Sequence, residues 1–547
     1  MTSKRMRPVD WVAVVILLLG AAALRLTGLD FGQPNPEYNR SLHPMLHISS
    51  TLHPDEYFYV SIPYEMLVRG QTYPHFYENP SFLISLNRLT FWLTHSTDNI
   101  TADRWDTEHL SNRSFAPFPL YIIGRLYSAL SSLLAVAAIY ATARFMLGRY
   151  AALLAGLLTA VSFPLVQHAH YATTSSLASG FVALCLWACY AALMRPQKRS
   201  WVLLIAGITA GLAAGNRYNA AAVAISFTMT GVFVLLRSGR WQTFLVVIIS
   251  GALFPITFLL TTPGYLGETE FFWEQFNFIY ARYGTVGGFV GLGHEYRYIL
   301  LLGLGIPAAA LALLGVGAAW VRFVRRWRDL TQAQNIFPML IMTAFVLPYS
   351  AVVLNTPAYG IGDQLTVPFI PCLFLWAALG FQVLHNRWGH HRLSTALSVV
   401  CVIVFPLLPS LLFVARLNQQ DTRDQLQNWI YTQVPQGSKI HLSGSYNIAL
   451  DAADYIVTQD YDYGVSIDDL MSQGVKYLVV SDARAFFDTR LERPNALDPW
   501  RTLNLPLIAE IPRWRWWGDD LPVNNGAYWH QPGLRVYCVP HEDFTCE

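Results

Sequence analysis

The chain has 547 residues, of which 53% are hydrophobic and 13% charged, with a formal net charge of +2. Soluble globular proteins carry about 25% charged residues, so an ordinary cytosolic enzyme and a disordered chain are both excluded. The near-neutral balance gives no electrostatic case for nucleic acid as a partner.

A membrane span needs about 20 apolar residues to cross roughly 30 Å of hydrocarbon. Lys4-Arg5-Arg7 ahead of Trp11 to Leu29 resembles a signal peptide. No small-residue cleavage site follows, and the segment reads as a retained first span. Apolar windows predict eleven spans, at roughly 9–29, 118–143, 150–167, 175–194, 201–215, 218–236, 242–262, 298–321, 336–354, 364–385 and 393–414. With the N-terminus inside, every inside loop is basic, as the positive-inside rule requires. These loops hold Arg144 and Arg149; Arg195, Lys198 and Arg199; Arg237 and Arg240; Arg322, Arg325, Arg326 and Arg328; Arg387 and Arg392. The short outside connections at 164–174, 214–218 and 355–363 contain Arg217 as their one Arg or Lys.

Three outside segments are then large: about 30–117, about 263–297, and the tail after Leu417. In the first, Tyr57 to Val68 and Ser81 to Leu93 are amphipathic. Such stretches lie in the membrane interface or pack on the spans beneath. The tail alternates helix and strand. Leu426, Trp429, Ile430 and Val434 share a helical face, Lys439 to Ser443 reads as a strand, Ser466-Ile467-Asp468-Asp469 resembles a capping box, and Tyr477 to Ser481 is an apolar strand. The expectation is a polytopic α-helical membrane domain over 1–417 and an extracytoplasmic α/β domain over 418–547. No GxGxxG follows a strand, so no dinucleotide site is expected. Cys185, Cys189, Cys372 and Cys401 sit in apolar runs as small core residues, whereas Cys538 and Cys546 lie outside the spans and can pair in an oxidising compartment.

Chemistry-bearing residues cluster outside the spans. In His53-Pro54-Asp55-Glu56, adjacent carboxylates near a bilayer are costly unless paired, hydrated or in use. Partial desolvation there raises a carboxylate towards general-base range; the plainer alternative is that both carboxylates cap the helix starting at Tyr57. His168-Ala169-His170-Tyr171 is followed by Thr173, Thr174, Ser175 and Ser176. In extended backbone His168 and His170 face one ligand, a weak divalent-metal candidate against ordinary interfacial hydrogen bonding. The run Gly284 to Gly293 lacks a phosphate-loop lysine and reads as a mobile loop over a site. Arg217, Arg282 and Arg297 are the outside cations best suited to a lipid phosphate.

Taken together, these features resemble the GT-C-fold glycosyltransferases, of the dolichyl-phosphate-mannose-protein mannosyltransferase type and its aminoarabinose transferase relatives. The marks are Leu52-His53-Pro54-Asp55-Glu56, Glu78-Asn79-Pro80-Ser81, Gln167-His168-Ala169-His170, Gly211 to Tyr218, and Asn428-Trp429-Ile430 ahead of Pro435-Gln436-Gly437-Ser438. The resemblance implies transfer of a sugar from a polyprenyl-phosphate donor to a hydroxyl of a protein, lipid or glycan acceptor on the outer face, with inversion. It makes Asp55 the catalytic base and Glu56 an orienting group, with His53, His168, His170, Arg217, Arg282, Arg297 and Gln364 around the substrate. It also implies the plasma membrane of a prokaryote, with membrane lipids as surroundings and no required cofactor beyond the open question of a metal. The family usually has a second acid where this chain reads Thr174-Ser175-Ser176, and an Arg where it reads Gln364. Those departures suit a rival expectation, a non-catalytic relative serving as a subunit of a larger membrane complex. A lipid transporter would instead require charges buried within the spans, of which the sequence offers almost none.

Overall fold

The structure is a computed structural model. It describes residues 8–32, 53, 55–96, 116–194, 201–284, 303–325, 337–355, 362–388, 392–444, 450, 454–460, 466–481, 505–512, 533–540 and 544. The chain divides into two compact units. The first comprises Met1–Leu29, Phe58–Ala102 and Ile123–Val414, and the second Asp30–Tyr57, Asp103–Ile122 and Ala415–Glu547.

The first unit is helical. Its N-terminal helix α1 is Pro8–Leu26, followed by α2 (Ile62–Val68) and α3 (Phe82–Leu93), the two amphipathic stretches. The succeeding helices are α4 (Phe118–Met146), α5 (Arg149–Val161), α6 (Phe163–Gln167), α7 (Thr174–Met194), α8 (Trp201–Ala214), α9 (Val223–Ser238) and α10 (Trp241–Thr261). After them come α11 (Gly264–Gly267), α12 (Thr269–Gly284), α13 (Ile306–Arg325), α14 (Met342–Asn355), α15 (Gly362–Thr366), α16 (Ile370–Trp388) and α17 (Arg392–Leu417). Among the described residues, five helices are long and apolar enough to cross a membrane, or six if the pair Arg149–Val161 and Phe163–His170, bent by 55°, is one span. Each of these overlaps a window predicted from the sequence.

Lipid is as apolar as leucine, so membrane helices associate through close packing rather than hydrophobic exclusion. Glycines make that possible: a Cβ on Gly207 would lie 2.2 Å from the Ser250 carbonyl oxygen, bringing α8 against α10 backbone to backbone. The same device joins α13 to α16, where a Cβ on Gly380 would lie 2.0 Å from the Leu311 carbonyl oxygen. Helices α2 and α3 pack inward through Met66, Leu83 and Ile84 against Leu177 and Phe181 of α7, while Leu89, Trp92 and Leu93 of α3 remain exposed.

Contrary to the sequence expectation, the membrane unit buries charge. Arg25 is fully buried, yet it donates to Ser132 Oγ (2.8 Å) and to the carbonyls of Ala160 (2.8 Å) and Thr159 (3.1 Å) at the C-terminal end of α5. Arg125 donates to the Leu29 carbonyl at 2.7 Å, and Arg144 pairs with Asp10 at 2.9 Å. Arg25 and Arg125 thus meet backbone carbonyls and Arg144 a carboxylate, an arrangement that ties separate segments of the unit together.

The second unit contains the tail. Helix α18 (Thr422–Gln433) starts at Asp421, whose side chain accepts from Arg423 N–H, and α19 (Ile467–Ser472) starts at Ser466, whose hydroxyl accepts from Asp469 N–H. The strands are β1 (Lys439–Ser443), β2 (Ile456–Asp460), β3 (Tyr477–Ser481), β4 (Leu507–Ile511) and β5 (Leu534–Cys538), in the order β2-β1-β3-β5-β4. The β1–β2 and β1–β3 pairs are parallel; β3–β5 and β4–β5 are antiparallel. Leu426 and Ile430 of α18 pack with Ile440, Leu442, Val479 and Val536, while Leu478 and Val480 join Leu470 and Val475. The period of two along β3 thus serves two apolar layers.

Candidate functional site

The turn at 53–56 is held by reciprocal bonds. Glu56 N–H donates to the His53 carbonyl at 2.9 Å, and Glu56 Oε2 accepts from His53 N–H at 3.1 Å. This is the logic of a capping box, in which the third residue reaches back to the first. Asp55 N–H donates to His53 Nδ1 at 3.2 Å. Glu56 is fully buried and His53 nearly so, whereas Asp55 is half-buried. The adjacent carboxylates therefore differ: Glu56 is engaged by the backbone, and Asp55 stands at the partly open start of the helical segment from Tyr57.

In the first unit, His168 to His170 form a 3₁₀ turn rather than extended backbone. The turn lies between α6 and α7, and both rings are buried. His170 Nδ1 lies 2.8 Å from the Val166 carbonyl and Nε2 lies 3.0 Å from the Thr27 carbonyl; His168 stands edge-on to Tyr171 at 5.7 Å. The backbone engages His170 at both nitrogens, and among the described residues no three His, Cys, Asp or Glu side chains gather to hold a metal. These donors do not fit a metal.

Arg217 and Gln364, distant in sequence, come together. Arg217 Nη2 donates to Gln364 Oε1 at 2.8 Å, and Nε donates to Thr174 Oγ1 at 3.3 Å at the start of α7. Nearby in sequence, the hydroxyls of Thr173, Ser175 and Ser176 are buried and find no hydrogen-bond partner among the described residues. The cation thus faces neutral acceptors at the place where a carboxylate was expected to be missing. Arg282 lies on α12, and Arg297 and Cys546 lie outside the described residues. Cys538, at the end of β5, is disulfide-bonded.

Two features went unforeseen. The first is a node joining the 71–80 segment to the next large loop. Tyr77 Oη donates to Glu268 Oε2 at 2.5 Å, His75 Nδ1 lies 2.6 Å from Glu268 Oε1, and Tyr218 Oη donates to the Tyr77 carbonyl at 2.9 Å. Burial, then the bond to Glu268, pushes the Tyr77 hydroxyl far above its ordinary range. The second is at the C-terminal ends of β1 and β2. Asp460 accepts from Ser443 Oγ (2.9 Å) and Gly444 N–H (3.2 Å) and faces His441 Nε2 (3.3 Å), whose Nδ1 contacts Thr458 Oγ1 at 2.8 Å. Serine meets aspartate here rather than histidine, so the histidine is not positioned to activate the hydroxyl. Burial alone would raise Asp460, but these donors outweigh it and hold the carboxyl below its usual range.

The family model described as dolichyl-phosphate-mannose-protein mannosyltransferase matches residues 122–263. No curated protein matches the sequence. The structure of the archaeal oligosaccharyltransferase AglB from Archaeoglobus fulgidus, in complex with an inhibitory peptide and a dolichol-phosphate, superposes with a TM-score of 0.50 at 12% identity, over 88% of this chain and 70% of that one. The chain has the GT-C fold, and its similarity is to the protein-mannosyltransferase type. ArnT from Cupriavidus metallidurans, bound to undecaprenyl phosphate, aligns over 97% of this chain and 98% of that one at 15% identity and TM-score 0.47. The Pmt1-Pmt2 complex of S. cerevisiae, bound to its sugar donor, aligns over 54% and 37% at 19% identity and TM-score 0.34.

Proposed function

We propose that this GT-C protein is an inverting glycosyltransferase that moves a sugar from a polyprenyl-phosphate donor to an acceptor hydroxyl on the outer face of a prokaryotic plasma membrane. The observation that carries this reading is the division of labour in the 53–56 turn, where Glu56 is fully buried on backbone N–H and Asp55 is half-buried beside it. The mannosyltransferase family match over 122–263 supports the donor class. Asp55 takes the acceptor hydroxyl proton as the oxygen bonds to the anomeric carbon. The bond from that carbon to the phosphate oxygen breaks, and its electron pair leaves with the lipid phosphate. A phosphate leaving group calls for cationic stabilisation more than for a strong acid. Arg217, Arg282 and Arg297 are the proposed cations. In this reading the eleven spans run from an inside N-terminus to an outside tail, where Cys538 pairs with Cys546.

Asp55→Asn tests the assignment. Removing a general base costs about 10²- to 10⁴-fold, so transfer to acceptor should fall by at least about 100-fold while thermal unfolding stays unchanged. Wild-type transfer by a folded variant would refute the role of Asp55. The bonds of Arg217 to two neutral groups, Gln364 and Thr174, favour a second reading, a non-catalytic GT-C-derived complex subunit. Stoichiometric co-purification of other subunits, with no transfer by the wild-type chain, would select it.

A further inference from the structure

A cavity of about 1200 Å³ lies along the basic ends of α13 and α16, beside the Gly148 turn that opens α5. Its wall on α13 is a single helical stripe. Leu313, Gly317 and Val321 recur every four residues, and Arg322 and Arg325 continue the stripe at the helix end. At 1.5 Å per residue the apolar part is about 12 Å long. Leu313 and Val321 are 75% and 46% exposed, and a Cβ on Gly317 would meet nothing within 4 Å, so the stripe borders open space.

The wall on α16 is polar. Gln382 Oε1 accepts from Gly148 N–H at 2.9 Å, and Gln382 Nε2 donates to Asn386 Oδ1 at 2.6 Å. Asn386 therefore has its acceptor oxygen engaged and its amide N–H groups to offer. Arg387 follows it, also lining the cavity. No Asp or Glu lines the cavity among the described residues. Arginines in the last turn of a helix complement its dipole, which accounts for each singly. It does not account for cations from two helices converging on one large groove with an apolar floor.

We propose that this groove binds one anionic phospholipid, with its phosphate against Arg322, Arg325 and Arg387 and an acyl chain along the Leu313–Val321 stripe. A basic pocket between membrane helices selects a charged headgroup, and the apolar stripe selects a lipid over a free phosphate. None of the groove's lining residues is among those assigned to catalysis, and the inference stands whether or not the chain transfers sugar.

Native mass spectrometry of the detergent-solubilised full chain tests it, with dioleoyl phosphatidylglycerol and dioleoyl phosphatidylcholine supplied at equal concentration. One phosphatidylglycerol should be retained at least about tenfold more tightly, equivalent to about 1.4 kcal/mol. Gly317→Leu, which fills open space without touching charge, should remove that retention. Arg322→Gln/Arg325→Gln/Arg387→Gln should reduce the preference to the phosphatidylcholine level. Should the triple variant fail to fold, Arg387→Gln alone should lower the preference. Equal retention of the two lipids by the wild type, or undiminished phosphatidylglycerol binding by Gly317→Leu, would overturn the proposal.

Discussion

Two places in the second unit combine a histidine, a carboxylate and a backbone N–H, and they do different things. At the ends of β1 and β2 a single carboxylate, Asp460, is saturated by Ser443, Gly444 and His441. At 53–56 there are two carboxylates, and Glu56 meets the backbone demand of the turn. Asp55, next to it in the chain, is half-buried. Residue types alone do not distinguish a structural node from a reactive one. Under the proposed reading, the half-buried carboxylate beside a buried, backbone-bound one marks the reactive turn.

The largest effect that tests this contrast is on turnover. Asp55→Asn should cost transfer at least about 100-fold, the scale of a lost general base, whereas Asp460→Asn should leave transfer unchanged, both read as initial rates with a polyprenyl-phosphate sugar. Comparable losses in both variants would dissolve the distinction. Glu56 gives the next largest effect. Gln is an accepted capping-box partner, so Glu56→Gln should keep thermal stability within about 0.5 kcal/mol of wild type. Glu56→Ala strands a buried N–H and should cost about 1–3 kcal/mol. If Glu56→Gln instead stays stable and loses transfer as fully as Asp55→Asn, Glu56 is a chemical participant and the division of labour fails.

The legibility of these regions in the sequence follows from how local their causes are. The strand at 439–443, the helix at 422–433 and the cap at Ser466 all rest on apolar periodicity or on contacts within a few residues, and each was expected. Strand β2 reads Ile-Val-Thr-Gln-Asp and is half-exposed, β4 is largely exposed and β5 largely buried, so none shows a clear period of two and their pairing is set by neighbours rather than by pattern. The two-residue spacing of His168 and His170 would face one ligand only in extended backbone, and that spacing carries no information about whether the backbone closes into the turn observed. The Arg217–Gln364 contact spans 147 positions, and only tertiary packing creates it. The burial of Arg25 is equally illegible, since it sits at the end of an apolar run and its partners are a serine hydroxyl and carbonyls, groups too common to mark a site.

The smallest effect is the pH response of the sheet. Asp460 has its carboxyl held below the usual range by its donors, so the folded form binds its proton less readily than the unfolded chain, whose Asp titrates near 3.9. The stabilisation is present in full above that value and is lost as pH falls through the lower folded value. Amides of β1 and β2 should therefore lose hydrogen-exchange protection as pH falls below about 4, after correction for intrinsic rates. In Asp460→Asn protection should be lower at neutral pH, by the equivalent of about 1 kcal/mol for a net hydrogen bond, and should change less across the acid range. An unaltered acid response in that variant would mean that another carboxylate governs the sheet. The three donors around Asp460 would then be incidental to its stability, and saturation of a carboxylate would no longer separate this node from the turn at 53–56.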